Sequence, residues 1–545
     1  MTSPRWGFLY LILCREGYDH KKLDMKREMK FISTGQGILV IIAMINIFIL
    51  YNAFTGSAGW YWGLLVSIPL MAIAIYDILQ KRHAIMRNYP VIGHFRYLFE
   101  SIRPEIRQYF FESDLDGKPF NRRQRSIVYQ RAKNEKQTVA FGMQMDPNKP
   151  GYEWLAHSMY PTEINEDLRV WIGNDQCLQP YQASLLNIGA MSYGALSKTA
   201  ITSLNMGARL GDFAHNTGEG GISDYHLQGG DLIWQIGTGY FGCRNEEGRF
   251  CPIAFRKNAL KKEVKMIELK LSQGAKPGHG GILPASKNTP EIAAIRLVEP
   301  GTTVFSPTSH KEFSTPEGLL KFLRLMRELS GGKPVGFKLC IGNKDEFVDI
   351  CRAMNRTGII PDFISVDGSE GGTGAAPLEF TDNLGMPLYD ALAFVKQTLE
   401  LYDLEEQVKV IASGKIITGF DILKALALGA SACYSSRGMM MALGCIQALI
   451  CDSGKCPVGV ATQNPALYKG LDPSDKKVRV ASYHKRTIEA TREIMEACGF
   501  NTLSEVHSSR FFRRVDEHET KSFEQIYFQV KENHFKKIYS SISKS

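Results

Sequence analysis

The chain has 545 residues, a formal net charge of +9 and 44% hydrophobic residues. This composition is typical of a globular protein, and the length predicts one large domain with an appendage. Basic residues are scattered among acidic ones except near the N-terminus, which argues against a nucleic-acid-binding surface. The odd number of cysteines, 11, argues against a disulfide framework.

Two uncharged apolar runs lie near the N-terminus, at residues 37–54 and 60–76. Each is about long enough to cross a bilayer, so we predict a transmembrane hairpin over residues 37–80, after a basic segment at residues 1–36. A signal peptide does not explain the second run, and a buried core hairpin is the alternative interpretation. By the positive-inside rule, bases on both flanks predict a membrane protein with a cytoplasmic large domain. The bases are Lys21, Lys22, Lys26, Arg27 and Lys30 before the first run and Lys81, Arg82 and Arg87 after the second.

Residues 81–150 are charged and aromatic and contain few glycines, which predicts a mostly helical linker that packs on the large domain. A disordered tether is the alternative. It is disfavoured because Tyr97, Phe110, Phe111 and Tyr129 are expected to need burial.

From about residue 185, short apolar runs alternate with helical periods, and glycine-rich turns follow the runs. This pattern predicts an α/β fold with a (β/α)8 TIM barrel, which we assign to residues 151–515, followed by a tail at 516–545. A doubly wound sheet is disfavoured because no Gly-x-Gly-x-x-Gly opens the first helix. The predicted strands are 185–190, 232–236, 266–271, 335–340, 363–366, 408–412 and 432–435. The predicted helices are 197–210, 316–329, 388–402, 419–428 and 478–497.

Cys445, Cys451 and Cys456 form a Cys-x5-Cys-x4-Cys pattern, which Pro457 follows directly. Three cysteines in one short loop favour a metal centre. The spacing differs from the Cys-x2-Cys pairing of zinc ribbons, and no fourth Cys or His follows at a suitable distance. An iron–sulfur cluster held by three cysteines fits better, and chance proximity among the chain's cysteines is the alternative.

The cysteine loop is accompanied by a series of motifs along residues 150–510. The motifs are Gly189-Ala-Met-Ser-Tyr-Gly194, Asn216-Thr-Gly-Glu-Gly-Gly221, Lys276-Pro-Gly-His-Gly-Gly281, Gly371-Gly-Thr-Gly-Ala-Ala-Pro377, Ser413-Gly-Lys415 and Cys456-Pro-Val-Gly-Val-Ala-Thr-Gln463. In this order, the series resembles the FMN-binding synthase domain of the glutamate synthase family, whose members hold a 3Fe-4S cluster on this cysteine spacing. The resemblance therefore implies FMN and a 3Fe-4S cluster as cofactors.

The resemblance also implies where the flavin binds. Loops 413–419 and 435–438 would hold its phosphate through their backbone amides. Lys338 interrupts an apolar strand and would lie by the pyrimidine edge, where a cation stabilises reduced flavin; a solvent-facing lysine is the alternative. The implied flavin neighbours are Gly189, Ala190, Met191, Ser192, Gln235, Lys338, Gly372, Thr373, Gly374, Gly414, Lys415, Ser436 and Arg437.

The family's reaction reduces 2-iminoglutarate, formed from 2-oxoglutarate and ammonia, with hydride from the flavin. Lys276 and Arg296 match the family's substrate-binding cations, and cations of this kind pair with carboxylates. Glu219 would orient the imine nitrogen or its ammonia precursor. Without the resemblance, each of the three would be interpreted as a solvated surface charge.

The chain departs from the family at two positions of the substrate loop. His279 and Ile282 stand where the family usually has Glu and Gln. The loss of a polar contact predicts a changed preference among 2-oxo acids.

Two segments of larger family members are also missing from the sequence. Without an amidotransferase segment or a recognisable NAD(P)H-binding segment, nitrogen is expected from ammonium, an amine or another subunit, and electrons from ferredoxin or a membrane donor. Two alternatives remain: an amine-transferring subunit similar to N-methylglutamate synthase, and a non-catalytic electron-relay subunit.

Overall fold

The computed structural model describes residues 34–135, 138–165 and 167–529. The chain divides into two compact units, Met1–Glu112 and Ser113–Ser545. The predicted basic segment up to residue 33 and the predicted tail from residue 530 lie outside the described residues. The boundary between the units falls within the predicted linker.

The first unit begins with two apolar helices, α1 (Thr34–Thr55) and α2 (Tyr61–Leu79), joined through a 3-10 turn. The Ser67 hydroxyl donates to Asn46 Oδ1 over 2.9 Å, so the helices share a polar contact within their apolar surfaces. Both are long and apolar enough to cross a membrane, and little of either is buried. This low burial differs from that of the core helix of a soluble protein.

Two further helices complete this unit, α3 (Ala84–Asn88) and α4 (Gly93–Ile106), and a π-helical turn follows at Arg107–Phe111. These helices lie within the segment that was predicted to be a mostly helical linker. The prediction that Phe110 and Phe111 are buried is wrong, because their exposed fractions are 80% and 78%.

The second unit is built on a closed barrel of eight parallel strands, each paired with its neighbours in chain order. The predicted TIM barrel is therefore confirmed. The second strand was not predicted from the sequence. The strands are β1 (Leu186–Ile188), β2 (His215–Asn216), β3 (Leu232–Ile236), β4 (Val264–Lys270), β5 (Val335–Leu339), β6 (Phe363–Asp367), β7 (Lys409–Ser413) and β8 (Ala432–Ser435).

Helices connect and surround these strands. The helices are α5 (Arg122–Ala132), α6 (Lys198–Gly211), α7 (Pro252–Ala259), α8 (Pro290–Arg296), α9 (Pro316–Leu329), α10 (Lys344–Thr357), α11 (Leu378–Asn383), α12 (Leu388–Leu401), α13 (Gly419–Ala427), α14 (Arg437–Leu443), α15 (Pro465–Tyr468) and α16 (Pro473–Ala497). Helix α16 begins five residues before its predicted start, because Asp472 caps it by accepting from the Ser474 amide.

Short antiparallel strands lie outside the barrel and bring distant parts of this unit together. Glu153–Leu155 pairs with Phe511–Arg514, which in turn pairs with Thr520–Ser522. The other pairs are Arg169–Ile172 with Tyr181–Ser184 and Ile282–Leu283 with Val304–Phe305.

The segment that precedes the barrel packs against it through α5. An Asn121–Gln124 capping box begins this helix, and Arg131 donates to the buried Thr487 hydroxyl of α16 over 3.2 Å. Residues 138–150 contain no helix, so the predicted helical linker ends at Ala132.

Candidate active site

The predicted site residues gather at one end of the barrel. They lie near the C-terminal ends of the strands or in the loops that follow, and this is the end where TIM barrels carry their functional groups. Three neighbouring regions result: a charged pocket after β2 and β4, a set of loops after β1 and β5 to β8, and the cysteine loop after α14.

The charged pocket is centred on Glu219, whose Oε1 lies 3.0 Å from Lys270 Nζ. Burial opposes ionisation of this carboxyl group, but Lys270, Arg296 and Lys276 together hold the pKa of Glu219 below its ordinary value. Glu219 is therefore ionised at neutral pH. Lys270 was not predicted from the sequence. It stands at the C-terminal end of β4 and lines a cleft together with Glu219 and His279.

Close backbone approach makes room for the Glu219 carboxylate. A Cβ at Gly281 would lie 2.7 Å from Glu219 Oε1. Any side chain at this position of the Lys276–Gly281 loop would therefore displace the carboxylate.

The two predicted cations of the pocket are both buried. Burial and the neighbouring Lys270 lower the pKa of Lys276, against the opposing effect of Glu219. Arg296 ends α8, and burial lowers its pKa to about 10, again against Glu219. Three cations thus surround one carboxylate, which leaves an excess of positive charge for an anionic ligand.

Arg296 is held by its surroundings but keeps one unused donor. Its Nη2 donates to the Tyr193 carbonyl over 3.3 Å, and its guanidinium lies 5.1 Å from the centre of the Phe241 ring. Among the described residues, Nε of Arg296 has no hydrogen-bond partner. A buried donor without a partner is unfavourable, so a ligand that accepts from it would be stabilising.

Of the two departures from the family, His279 lines this pocket and Ile282 directly follows the lining residue Gly281. The His279 ring packs edge-on against Phe380, with 5.5 Å between ring centres. Ile282 is 43% exposed and pairs with Phe305 in the short antiparallel ladder. The rim formed by these two residues is thus aromatic and aliphatic where the interior is charged.

A buried polar cluster lies inside the barrel beneath these loops. Glu268 Oε2 accepts from Asn216 Nδ2 over 2.8 Å and from Gln235 Nε2 over 2.5 Å, while Oε1 accepts from the Ser365 hydroxyl over 2.5 Å. The carboxylate therefore fixes the amide orientation of Gln235, one of the predicted flavin neighbours. Glu268 was also missed, although its place between apolar residues of β4 signals a buried acid.

Lys338 is buried in β5 and, as a buried lysine must, has a partner: Asp367 at the end of β6 lies 3.4 Å away. Asp367 Oδ2 also accepts from the Gly274 amide over 2.8 Å. Asp367 therefore links Lys338 to the loop that carries Lys276.

The predicted phosphate loops bring together cations after β7 and β8. Burial lowers the pKa of Arg437 to about 10, against the opposing effect of Asp367 and Glu370. Lys415 is exposed, yet partial desolvation and then Arg437 lower its pKa. A Cβ at Gly372 would lie 2.8 Å from Arg437 Nε, so the loop after β6 borders the same place.

The loop after β1 joins this region as well. An added Cβ at Gly189 would collide with the Ser436 hydroxyl. Met191 donates through its amide to the Asn216 carbonyl over 3.0 Å and accepts from His226 Nε2. The sequence-predicted neighbours Ala190 and Ser192 lie in the same short segment.

The remaining predicted flavin neighbours lie in the loops after β6 and β7. Thr373 Oγ1 donates to the Ala375 carbonyl over 3.3 Å. Gly374 shares the loop after β6 with Gly372, and Gly414 shares the loop after β7 with Lys415.

The three predicted cysteines lie close enough to influence one another. Burial, followed by the nearby Cys451 and Cys456, raises the pKa of Cys445 to about 11. Burial and then Cys456 also raise the pKa of Cys451, against Lys287. Within the described ranges, no group of three or more His, Cys, Asp or Glu side chains has the geometry to hold a metal ion.

Two contacts anchor this cysteine loop to the rest of the unit. Tyr129 of α5 donates through its hydroxyl to the Cys445 carbonyl over 2.7 Å. Lys287 Nζ, which is buried, donates to the Cys451 carbonyl over 2.8 Å. A cation is therefore fixed beside Cys451 and Cys456. Its place in a polar Ala-Ser-Lys-Asn stretch gave no signal in the sequence.

The family model for the conserved region in glutamate synthase matches residues 156–501. Glutamate synthase large subunit-like protein YerD of Bacillus subtilis (strain 168) is 39% identical over 493 residues, which are 82% of this chain and 93% of that protein. The chain belongs to the glutamate synthase family.

Other members of the family share a smaller part of the chain. Archaeal glutamate synthase [NADPH] of Methanocaldococcus jannaschii is 36% identical over 59% of this chain and 60% of its own length. Glutamate synthase [NADPH] large chain of Bacillus subtilis (strain 168) is 34% identical over 58% of this chain, but over only 20% of its own length. The family is one of enzymes, and the relatives named glutamate synthase [NADPH] are oxidoreductases.

Proposed function

We propose that the chain is a membrane-anchored FMN and iron–sulfur oxidoreductase of the glutamate synthase type. It would reduce the imine of a 2-oxo acid and ammonia to an amino acid, with 2-oxoglutarate giving glutamate as the reference reaction. The observation that carries the proposal is the pocket in which Lys270, Lys276 and Arg296 surround the ionised Glu219.

The charges of this pocket suit a dicarboxylic substrate. Lys276 and the unused Nε of Arg296 offer donors to carboxylate oxygens. Glu219, ionised and held by Lys270, accepts hydrogen bonds from ammonia or from the imine N–H. Condensation of the 2-oxo acid with ammonia releases water, and reduction then adds hydride to the imine carbon and a proton to nitrogen. The neighbouring lysine and carboxylate are suited to moving that proton.

The loops after β6, β7 and β8 suit the phosphate and ring of FMN. Arg437, Lys415 and Lys338 exceed the neighbouring acids Asp367 and Glu370 in charge, so an anionic phosphate would offset the surplus. Bound FMN would supply the hydride. Gln235, oriented by Glu268, would hydrogen-bond the ring.

The donor set of the cysteine loop suits an iron–sulfur cluster better than a single metal ion. It consists of three neighbouring thiols on one loop, and thiolates are the ligands that such clusters prefer. Cys445, Cys451 and Cys456 would hold a 3Fe-4S cluster beside Lys287. The cluster would pass electrons to the flavin.

The electron donor is proposed to be a ferredoxin or a membrane donor, and the nitrogen source free ammonium or an amine. The apolar α1–α2 hairpin would anchor the chain in the bilayer with the barrel in the cytoplasm. The aliphatic and aromatic rim formed by Ile282 and His279 favours a 2-oxo acid other than 2-oxoglutarate as the best substrate.

The proposal is tested by reducing the detergent-solubilised protein with dithionite and following flavin absorbance without oxygen. Rapid reoxidation by 2-oxoglutarate with ammonium, together with glutamate formation, would establish the synthase reaction. If only other 2-oxo acids reoxidise the flavin, the substrate assignment would change to one of them. If reoxidation requires methylamine in place of ammonium, the assignment of the nitrogen source would change. No reoxidation by any of these, with FMN and iron both verified, would instead support an electron-relay subunit.

The flavin assignment has a separate test in Lys415→Met. Loss of one phosphate-facing cation should weaken FMN binding about tenfold, because a hydrogen bond to a charged group contributes on the order of 1.5 kcal/mol. Riboflavin, which lacks the phosphate, should bind equally to both proteins. An equal loss of affinity for FMN and for riboflavin would contradict the assignment of the phosphate loops.

A further inference from the structure

Helix α4, which follows the hairpin, carries an apolar stripe on its surface. Phe95, Leu98, Phe99 and Ile102 recur at the spacing that places side chains on one face of a helix. All four are exposed, and the exposed fraction of Phe99 reaches 61%. The rings of Phe95 and Phe99 stack on each other, 6.4 Å apart.

The rest of the unit holds α4 by other residues. Asp77, buried in the last turn of α2, accepts from the Val91 amide and from His94 Nε2, each over 2.9 Å. The half-buried Tyr97 packs edge-on against the His83 ring, 5.1 Å between centres. The helix is therefore fixed at the end of the hairpin, while its apolar stripe stays exposed.

Positive charge lies along one edge of this stripe. Arg96, Arg103 and Arg107 are exposed and separated by seven and four residues, so they follow one line along the helix. Residues 81–112, to the end of this unit, contain six Lys or Arg and three Asp or Glu, a net charge of +3 from six minus three. The basic residues are Lys81, Arg82, Arg87, Arg96, Arg103 and Arg107, and the acidic ones are Glu100, Glu105 and Glu112. Glu112 Oε1 lies 3.8 Å from Arg107 Nε, whereas Arg96 and Arg103 keep the edge positive along the helix itself.

We propose that α4 and the turn at Arg107–Phe111 lie in the interface of an anionic phospholipid bilayer. The apolar stripe would insert at the boundary between headgroups and acyl chains, and the arginines would reach lipid phosphates with their stems along the apolar surface. The exposed Tyr109 and Phe110 would extend the contact, since aromatic residues favour this depth.

A bilayer explains these features better than a protein partner does. Helix α4 begins 14 residues after the end of α2 and hydrogen-bonds to the last turn of that helix, so its start lies where the proposed hairpin leaves the membrane. The basic edge complements a negatively charged leaflet. This inference rests on the proposed membrane anchor, and the test below separates the two.

The test places a photo-crosslinking residue in the full chain, reconstituted in liposomes of phosphatidylcholine with phosphatidylglycerol. Three variants are compared by mass spectrometry: Phe99→p-benzoylphenylalanine on the stripe, Ser101→p-benzoylphenylalanine on the far side of α4, and Leu65→p-benzoylphenylalanine within α2. We expect lipid adducts at positions 65 and 99 and several-fold fewer at position 101.

Each other outcome has a distinct meaning. Adducts at position 65 without adducts at position 99 would overturn the interfacial helix and keep the anchor. Crosslinks from position 99 to a second copy or to another part of the chain would also overturn it. No lipid adducts at either position would overturn the membrane anchor as well.

The arginines are tested in the same assay by Arg96→Gln, Arg103→Gln and Arg107→Gln together. Phosphatidylglycerol should raise the adduct yield at position 99 severalfold in the parent chain, and this rise should disappear in the triple variant. A matched control changes three exposed barrel residues, Lys257→Gln, Lys262→Gln and Arg324→Gln. A rise that survives in the triple variant, or is lost equally in the control, would overturn the role of the basic edge.

Discussion

The charged pocket and the cysteine loop are neighbouring parts of one barrel unit, but their surroundings shift the ionisation of their acidic groups in opposite directions. In the pocket, Lys270, Arg296 and Lys276 keep Glu219 ionised in the absence of a ligand. In the loop, burial raises the pKa of Cys445 to about 11, so that thiol is protonated at neutral pH. The pocket is preorganised, whereas the proposed cluster would have to displace protons from the cysteine loop as it binds.

This difference implies that the two regions respond differently to substitution. Removing one partner of a preorganised charge pair should reduce catalytic activity but leave the fold intact. A loop completed by a cluster should lose the whole cluster when one ligand is removed.

Cys451→Ser is expected to have the largest effect. Loss of one of three ligands should abolish iron binding, while FMN and 2-oxo acid binding in the preorganised regions persist. Iron analysis and calorimetric titration with 2-oxoglutarate measure both. Cys498→Ser, a buried cysteine outside the loop, is the control and should keep its iron. Iron retained in Cys451→Ser would contradict the ligand assignment.

Glu219→Gln removes the central charge of the pocket. We expect a loss of about 100-fold or more in turnover, the magnitude typical for removing a positioned polar group at a reacting centre. Iron and FMN content should stay unchanged. Glu312→Gln, which removes a carboxylate paired with Arg249 outside the pocket, should retain its turnover. A similar loss in both variants would point to stability and not to chemistry.

Lys287→Met removes the cation beside the thiols. A nearby cation stabilises the more negative, reduced cluster, so its loss should lower the reduction potential by about 60 mV, which corresponds to about 1.4 kcal/mol for one electron. A redox titration followed by electron paramagnetic resonance measures the shift. Lys287→Arg keeps the positive charge, so its reduction potential should stay close to that of the parent protein. An unchanged potential in Lys287→Met would mean that Lys287 only anchors the loop.

Much of the barrel follows from local sequence. The strands 232–236 and 432–435 were predicted at their observed bounds, because they are short apolar runs bounded by turn residues. Strand β2 was missed because its two residues, His215 and Asn216, show no apolar pattern. It is recognised only through pairing with β1 and β3.

The site is less visible in the sequence than the fold. Glu219, Lys276 and Arg296 were found through motif resemblance, and the structure brings them together. Lys270 and Lys287 were missed because a lone lysine at a strand end or in a polar loop resembles a solvated one. Their burial and partners depend on tertiary contacts. Phe110 and Phe111 were expected to be buried because aromatic side chains usually pack inside a soluble domain, but both are exposed in the turn that follows α4.

Lys276→Arg gives the smallest and most specific test of the preorganised pocket. Burial and Lys270 lower the pKa of Lys276, so its positive charge should be lost at a lower pH than that of a free lysine. The KM for the 2-oxo acid should therefore rise at alkaline pH, starting below the ordinary lysine range near 10.4. An arginine keeps its charge to higher pH, so the alkaline rise in KM should move upward in Lys276→Arg while kcat changes little. Identical alkaline profiles for the two proteins would mean that another group controls this limb, and Lys270, paired with Glu219 at 3.0 Å, would then be the group to replace.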